Sequence, residues 1–233
     1  MSDMQNFDYT GKDNLDIMSF ANNYNNFLTE LVESHAPKTG TLLDFGAGTG
    51  FFANRVAGTG RKLVCVEPDT LQADEIRTKG FDAFASSGDL ADQSVDFSYS
   101  LNVLEHIEDD SAAMREIFRV LKPGSFCVIY VPAMPCLYSS MDEKVQHFRR
   151  YTRKELSGKL SNAGFDVMNC RYADILGVPA TLAYKVIGSK SGDVSLKGLI
   201  AYDRVAFPVS KALDTITHRI AGKNVLAVAR KPM

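Results

Sequence analysis

Asp44-Phe45-Gly46-Ala47-Gly48-Thr49-Gly50 is the stretch on which the reading of this chain turns. Before it stands Thr41-Leu42-Leu43, an apolar run that reads as a strand. After it, Phe51-Phe52-Ala53-Asn54-Arg55-Val56-Ala57 reads as the opening of a helix. An acidic residue followed by three alternate glycines therefore marks a strand–turn–helix corner. Glycine allows positive φ and lets a ligand approach the main chain closely. The helix start behind it offers unpaired N–H groups and a positive dipole end. Such a corner suits a nucleotide-like ligand.

Spacing narrows the ligand. A dinucleotide fingerprint reads G-x-G-x-x-G, with the last glycine opening the helix to a pyrophosphate. Here the third glycine comes one place early, and Phe51 occupies the dinucleotide position. Asp44, just before the turn, would repel a pyrophosphate and attract the cationic amino-acid end of S-adenosylmethionine. The stretch resembles motif I of the class I S-adenosylmethionine-dependent methyltransferases. The resemblance implies that Asp44, Gly46, Ala47, Gly48 and Gly50 lie against that cofactor.

Lys62-Leu63-Val64-Cys65-Val66 reads as a buried parallel strand ending at Glu67, about 20 residues past the first glycine, where a ribose-binding acid belongs. Two carboxylate oxygens can accept both ribose hydroxyls. Pro68 and Asp69 then turn the chain into a helix over 70–79. A strand over 81–84 leads to a loop whose Asp89, with Leu90, resembles the family's adenine-contacting segment; an Asp after Gly is also ordinary turn chemistry. A fourth strand over 94–100 runs into Leu101 and Asn102, expected to flank the methionine portion. A helix over Asp110–Val120, a turn over 121–124 and an apolar strand over 125–131 follow. This strand–helix alternation is that of an α/β fold, and the resemblance spans about residues 40–132.

Composition agrees. The chain has 233 residues, enough for one α/β domain with an elaboration. With 26 Lys and Arg against 28 Asp and Glu, the net charge is −2, which gives no basic surplus for nucleic acid. Cys65, Cys127, Cys136 and Cys170 lack metal-ligand spacing and read as reduced thiols of a cytoplasmic protein. No basic-then-apolar leader opens the chain.

Two regions outside the core are expected to choose the substrate. Asn14–Ser34 carries Leu15, Met18, Ala21, Tyr24, Phe27, Leu28 and Leu31 at helical spacing. Packing is its main expected role, with Tyr24 within reach of the site. Val131–Tyr151 follows the fifth strand, where open α/β sheets place ligands. Its Tyr138, Arg149, Arg150 and Tyr151 are candidate substrate contacts, because guanidinium planes suit phosphate or carboxylate. His147 is a candidate base. The alternative is surface salt bridges and an ordinary loop. His147-x-Arg149-Arg150-Tyr151-Thr152 loosely resembles bacterial methyltransferases of glycan, lipid-carrier and natural-product pathways.

Glu105-His106-Ile107 resembles ubiquinone-biosynthesis-type O-methyltransferases. His106 would take a proton from a substrate hydroxyl, or shape the pocket and the following helix. Glu105 and His106 together would offer two ligands to a divalent cation, as in some small-RNA methyltransferases. Two adjacent ligands are not a metal site by themselves, so no metal is expected. Methyl transfer to a good nucleophile can proceed by orientation alone.

Thr152 is a plausible N-cap for a helix ending at Gly164, followed by a sixth strand over 165–172. Asn224–Arg230 reads as the seventh strand, which in this family inserts antiparallel between the fifth and sixth. Between them, Ile175–Ile187 and Leu199–Ile220 look helical, joined by a polar loop over Ser189–Lys197 expected to be mobile. The insertion reads as a lid or homodimer surface, or as a membrane-surface patch admitting a lipid-linked substrate.

The expected architecture is a Rossmann-like, seven-stranded, mostly parallel sheet with an antiparallel last strand and helices on both faces. The expected organisation is one domain: a helical cap over 1–38, a cofactor-binding core over 39–172, a helical insertion over 173–223 and the last strand over 224–233. The expected activity is methyl transfer from S-adenosyl-L-methionine to an oxygen or nitrogen of a small-molecule, glycan or lipid-linked acceptor. The alternatives are a NAD-dependent oxidoreductase and a non-catalytic cofactor-binding protein.

Overall fold

Six strands running in one direction and a seventh opposed to them build one sheet in a computed structural model that describes residues 17–187, 192 and 195–233. The strands are β1 (Gly40–Phe45), β2 (Arg61–Val66), β3 (Asp82–Phe84), β4 (Val95–Leu101), β5 (Leu121–Pro132), β6 (Asp166–Ala173) and β7 (Asn224–Arg230). Their order is β3-β2-β1-β4-β5-β7-β6, with β7 antiparallel to both β5 and β6. The expected sheet and the place of its last strand are both found.

The inner strands are apolar because both sheet faces are covered, as parallel sheets require. One face packs Leu43, Val64, Ile129 and Val131 with Met114 and Ile117 from helix α4 (Asp110–Val120). The other packs Leu42, Cys65, Phe97, Tyr99 and Tyr130 with Leu28 and Val32 from helix α1 (Asn22–Glu33). Helices α2 (Phe51–Val56) and α3 (Thr70–Thr78) follow β1 and β2. Side-chain oxygens of Asp69 and Asp109 accept from the first-turn amides of α3 and α4, each such cap being worth roughly 1 kcal/mol. Thr152 caps α6 (Arg153–Asn162) as its sequence suggested; α5 (Ser140–Lys144) is a short helix before it. Cys65 and Cys127 are buried, and all four thiols are free.

Three boundaries depart from expectation. The segment over 121–124, read as a turn, is counted in β5: Leu121 pairs with Val95 before Phe126 pairs with Phe97, so residues 122–125 bulge out of register. The helix expected over Asn14–Ser34 is interrupted: Ile17 and Met18 are helical, residues 19–21 turn, and the long helix starts at Asn22, while 14–16 lie outside the described residues. The Asp203 carboxylate accepts from the Asn23 and Tyr24 amides, and the Asn25 side chain donates to the Met18 and Ser19 carbonyls, which fixes a turn before the helix. Leu15, and most of the loop expected over Ser189–Lys197, lie outside the described residues. The third departure concerns Leu199–Ile220, which divides into α8 (Leu196–Ala201), a π-turn over Tyr202–Ala206 and α9 (Phe207–Thr217).

Helix α7 (Gly177–Ile187), α8 and α9 form the insertion, and buried acids fasten it to the sheet. Asp174, at φ 61°, accepts from Ser210 and Tyr202 hydroxyls, and Asp214 accepts from the amides of Asp174 and Ile175. Among the described residues no helix is long and apolar enough to cross a membrane.

Candidate functional site

The strand order reverses between β1 and β4, and open α/β sheets bind ligands at the carboxyl ends of strands at such a switch point. A cavity of about 730 Å³ opens there. The residues 46–49 turn forms its floor, with Phe51 and Phe52 behind. Glu67 and Pro68 stand after β2, residues 85–87 after β3, and Leu101, Asn102 and Val103 after β4. His106, the start of α4 and Phe148 complete one side, and Met18, Ser19 and Asn25 the other.

Glycine is required in this turn for two different reasons. Gly46 has φ 81°, and a Cβ there would lie 2.3 Å from Val103 Cγ1, so the turn can pack against the chain after β4 only without a side chain. Gly48 has φ 55°, and its amide donates to Glu67 Oε2 at 2.7 Å. Glu67 Oε1 accepts from the Asp69 amide at 3.0 Å. Both carboxylate oxygens are thus aimed by backbone donors, and each keeps lone-pair capacity for a further donor. Burial raises the Glu67 pKa, and those two amides oppose the rise. Asn102, at φ 56°, donates its amide to the Tyr130 carbonyl at 2.7 Å and its side-chain N–H to Tyr24 Oη at 3.1 Å.

Gly46, Ala47, Gly48, Glu67, Pro68, Leu101, Asn102 and His106 all line the cavity. Asp44, Gly50, Asp89 and Leu90 do not. Successive strand residues face opposite sides, so with Phe45 turned to the cavity, Asp44 is directed the other way. It is buried, accepts from Tyr99 Oη at 3.0 Å, and its pKa is raised to about 7 by burial against hydrogen bonds from Tyr99 and the Ala53 backbone. Asp44 therefore ties β1 to β4 and α2. After β3 the cavity wall is Ala85, Ser86 and Ser87, with Asp89 exposed beyond them.

None of the five expected substrate contacts lines this cavity, although the Tyr24 hydroxyl reaches its wall through Asn102. Tyr24 packs edge-on against Tyr130 and Phe207 and borders a small separate cavity. The Tyr138 hydroxyl donates to the His147 carbonyl at 2.7 Å. Arg149 pairs with Asp110 at 2.9 Å. Arg150 is 3% exposed and donates to Asp142 Oδ1 at 2.8 Å. The Tyr151 hydroxyl, fully buried, donates to Asp110 Oδ2 at 2.7 Å. Both guanidinium groups are matched by buried carboxylates, so these pairs organise the loop. Its one cavity residue is Phe148, whose amide donates to the Glu105 carbonyl.

That same bond carries His147 to the end of β4. Its ring lies 4.6 Å from that of His106, edge to face, and its Nε2 is 3.8 Å from Glu105 Oε1. Asp142 Oδ1 holds His147 Nδ1 at 2.8 Å. Glu105 is 1% exposed, and burial raises its pKa to about 8. Burial, with the neighbouring His147, pushes His106 down to about 3. A base with that pKa takes a hydroxyl proton poorly. Ligand atoms of Glu105, His106 and His147 all lie within 4.8 Å of one another, a set that could hold a metal ion. Neighbouring residues in sequence give only two of the three; the third arrives by the loop's packing.

Comparison with known proteins places this architecture. Residues 43–129 match the family described as "Methyltransferase domain". A probable S-adenosylmethionine-dependent methyltransferase of Mycolicibacterium smegmatis is 29% identical over 59% of this chain and 54% of its own length. The chain spans about half the length of the curated relatives it matches. Among solved structures, phosphoethanolamine N-methyltransferase 2 of Haemonchus contortus, in complex with S-adenosyl-L-methionine, superposes with TM-score 0.65 at 16% identity, covering 100% of this chain and 61% of that one. The [4+2]-cyclase SpnF superposes with TM-score 0.58 at 21% identity, covering 88% and 81%.

Proposed function

We propose, from the premise that this chain belongs to the class I S-adenosylmethionine-dependent methyltransferases, that it moves the methyl group of that cofactor to an oxygen or nitrogen of a small acceptor. The carrying observation is the convergence of the residues 46–49 turn, Glu67 and Asn102 on one cavity. The cofactor supplies an electrophilic methyl on a sulfonium. In this reading Glu67 accepts the ribose hydroxyls, the turn and Leu101–Asn102 bracket the amino-acid end, and Ser86 and Ser87 stand at the adenine. The cavity's mostly apolar walls, Phe148 among them, exclude water and align the acceptor, so proximity does most of the work. A likeness of fold to a cyclase means that methyl transfer has to be measured directly. Incubation with methyl-labelled cofactor and panels of hydroxylated glycans, lipids, phenols and amines is expected to label an acceptor from one class. Tight cofactor binding with no label in any class would favour a non-transferring protein on the same fold.

The one-domain organisation remains part of the same reading, with the insertion contributing the acceptor's route. Val205, Val209, Leu213 and Ile216 along the π-turn and α9, and Ile220 just beyond it, are exposed at helical spacing, between 36% and 77% accessible. Arg204 and Arg219, both exposed, flank the stripe. An apolar stripe with basic flanks suits the surface of an anionic bilayer and supports a lipid-linked acceptor. Sedimentation with phosphatidylserine vesicles is expected to carry the protein down, and I216E with I220E to abolish it. A concentration-dependent dimer dissolved by the same pair of substitutions would instead assign the face to a second copy.

A further inference from the structure

We infer that Glu105, His106 and His147 form a binding site for one first-row divalent transition-metal cation at the edge of the cavity, with Asp142 as the residue that positions His147. The inference rests on the methyltransferase reading only for what the cation would touch, not for its binding.

Three observations carry it. The first is the donor set, a carboxylate and two imidazoles with ligand atoms within 4.8 Å of one another. A cation bound at roughly 2.0–2.2 Å from each atom draws such a set together with small side-chain movements. The second is that both Glu105 oxygens are buried with no hydrogen-bond partner on another residue, its own backbone amide being the one donor that eases its charge. An unpartnered buried carboxylate is costly, and a cation is the usual remedy. Arg150 acts on Glu105 through its charge, but its guanidinium is already paired with Asp142 at 2.8 Å. The third is the support behind the ligands. Metal-binding histidines characteristically use their second ring nitrogen on a carboxylate or carbonyl. His147 Nδ1 does so on Asp142, which leaves Nε2 directed at Glu105, and His106 hydrogen-bonds the Val145 backbone. Asp142 is itself held by the Ser139 amide at 2.9 Å and by Arg150.

The chemistry of the donors selects the ion. Two imidazoles disfavour magnesium and calcium, which prefer all-oxygen shells, and favour manganese, iron, cobalt or zinc. Three protein ligands leave coordination positions open, as in catalytic rather than structural sites. His106 lines the cavity, so those positions face the acceptor's side. There a cation would hold a hydroxyl oxygen of the acceptor and lower its pKa.

The test uses the full chain after chelator treatment, titrated with Co²⁺ and followed by visible absorption, with Mn²⁺ and Zn²⁺ by calorimetry. One equivalent of Co²⁺ is expected to bind with the d–d bands of a mixed nitrogen–oxygen site. E105Q and H147N are each expected to weaken it at least 10-fold, and D142N, which keeps a hydrogen-bond acceptor for His147, to weaken it less than H147N. Circular dichroism confirms that each variant is folded. Absence of saturable binding by any of the three ions, or binding unchanged in folded E105Q and H147N, overturns the proposal. S-adenosylmethionine is titrated into the same samples, so that a failed cofactor reading and a failed metal site give separate results.

Discussion

Asp142→Ala is expected to destabilise the chain by about 3–5 kcal/mol, the usual cost of stranding one partner of a buried ion pair. Asp142 is fully buried and accepts from Arg150 Nε, His147 Nδ1 and the Ser139 amide, closing the capping box of α5 as it does so. Its loss would leave the Arg150 guanidinium, 3% exposed, with the Ala133 carbonyl at 3.3 Å as its remaining acceptor among the described residues. The effect depends on pH. Burial alone would raise the Asp142 pKa, but hydrogen bonds from His147 and Arg150 outweigh it and hold the folded value below the ordinary one. A depressed folded pKa gives stability that is fully present above the unfolded value, about 3.9, and is lost as pH falls through the folded value. Urea unfolding should therefore show a wild-type-to-mutant gap that is full near pH 7 and shrinks below about pH 4. A gap under about 1 kcal/mol at pH 7, or one that does not change in acid, would show that the pair is not what holds this loop.

Gly48→Val is expected to weaken S-adenosylmethionine binding at least 100-fold, about 2.7 kcal/mol, while leaving a folded protein. At φ 55° a β-branched residue is strained by roughly 1–3 kcal/mol, which a domain of ordinary stability survives. The first added carbon meets Gln72 Oε1 at 3.4 Å, and Gln72 is itself a cavity residue, so the side chain takes up ligand space. Relief of the strain by a backbone shift would also move the amide that aims Glu67. Calorimetry on variants with native circular dichroism reads the outcome. Unchanged affinity would remove the turn from the cofactor's path.

What could be read from the sequence was whatever depends on near neighbours. Alternating glycines after an apolar run define the β1 corner, the β-branched run at 62–66 defines β2, and Thr152 announces its helix. Those signals act within a few residues, and the sheet, the cavity and Glu67's place in it follow from them. The reading lost accuracy where partners are distant. Arg149 and Arg150 look alike in sequence, yet one pairs with Asp110 and the other is buried against Asp142. Only the fold brings those carboxylates to them. His147 joins Glu105 and His106 for the same reason, through a loop amide bonded to the end of β4. Asp44 is a different case, because the alternation of strand faces could have turned it away from the cavity once Phe45 was assigned there. The helix expected over Asn14–Ser34 kept its apolar stripe in sequence, but it is broken before Asn22, where Asp203, far along the chain, accepts from the Asn23 and Tyr24 amides.

Calorimetric titration of the wild-type chain with S-adenosylmethionine, S-adenosylhomocysteine and NAD in parallel tests the central claim most directly. Saturable binding of both adenosyl compounds at one per chain, with none of NAD, is the predicted result. Binding of NAD alone would contradict it and move the cavity's chemistry to hydride transfer.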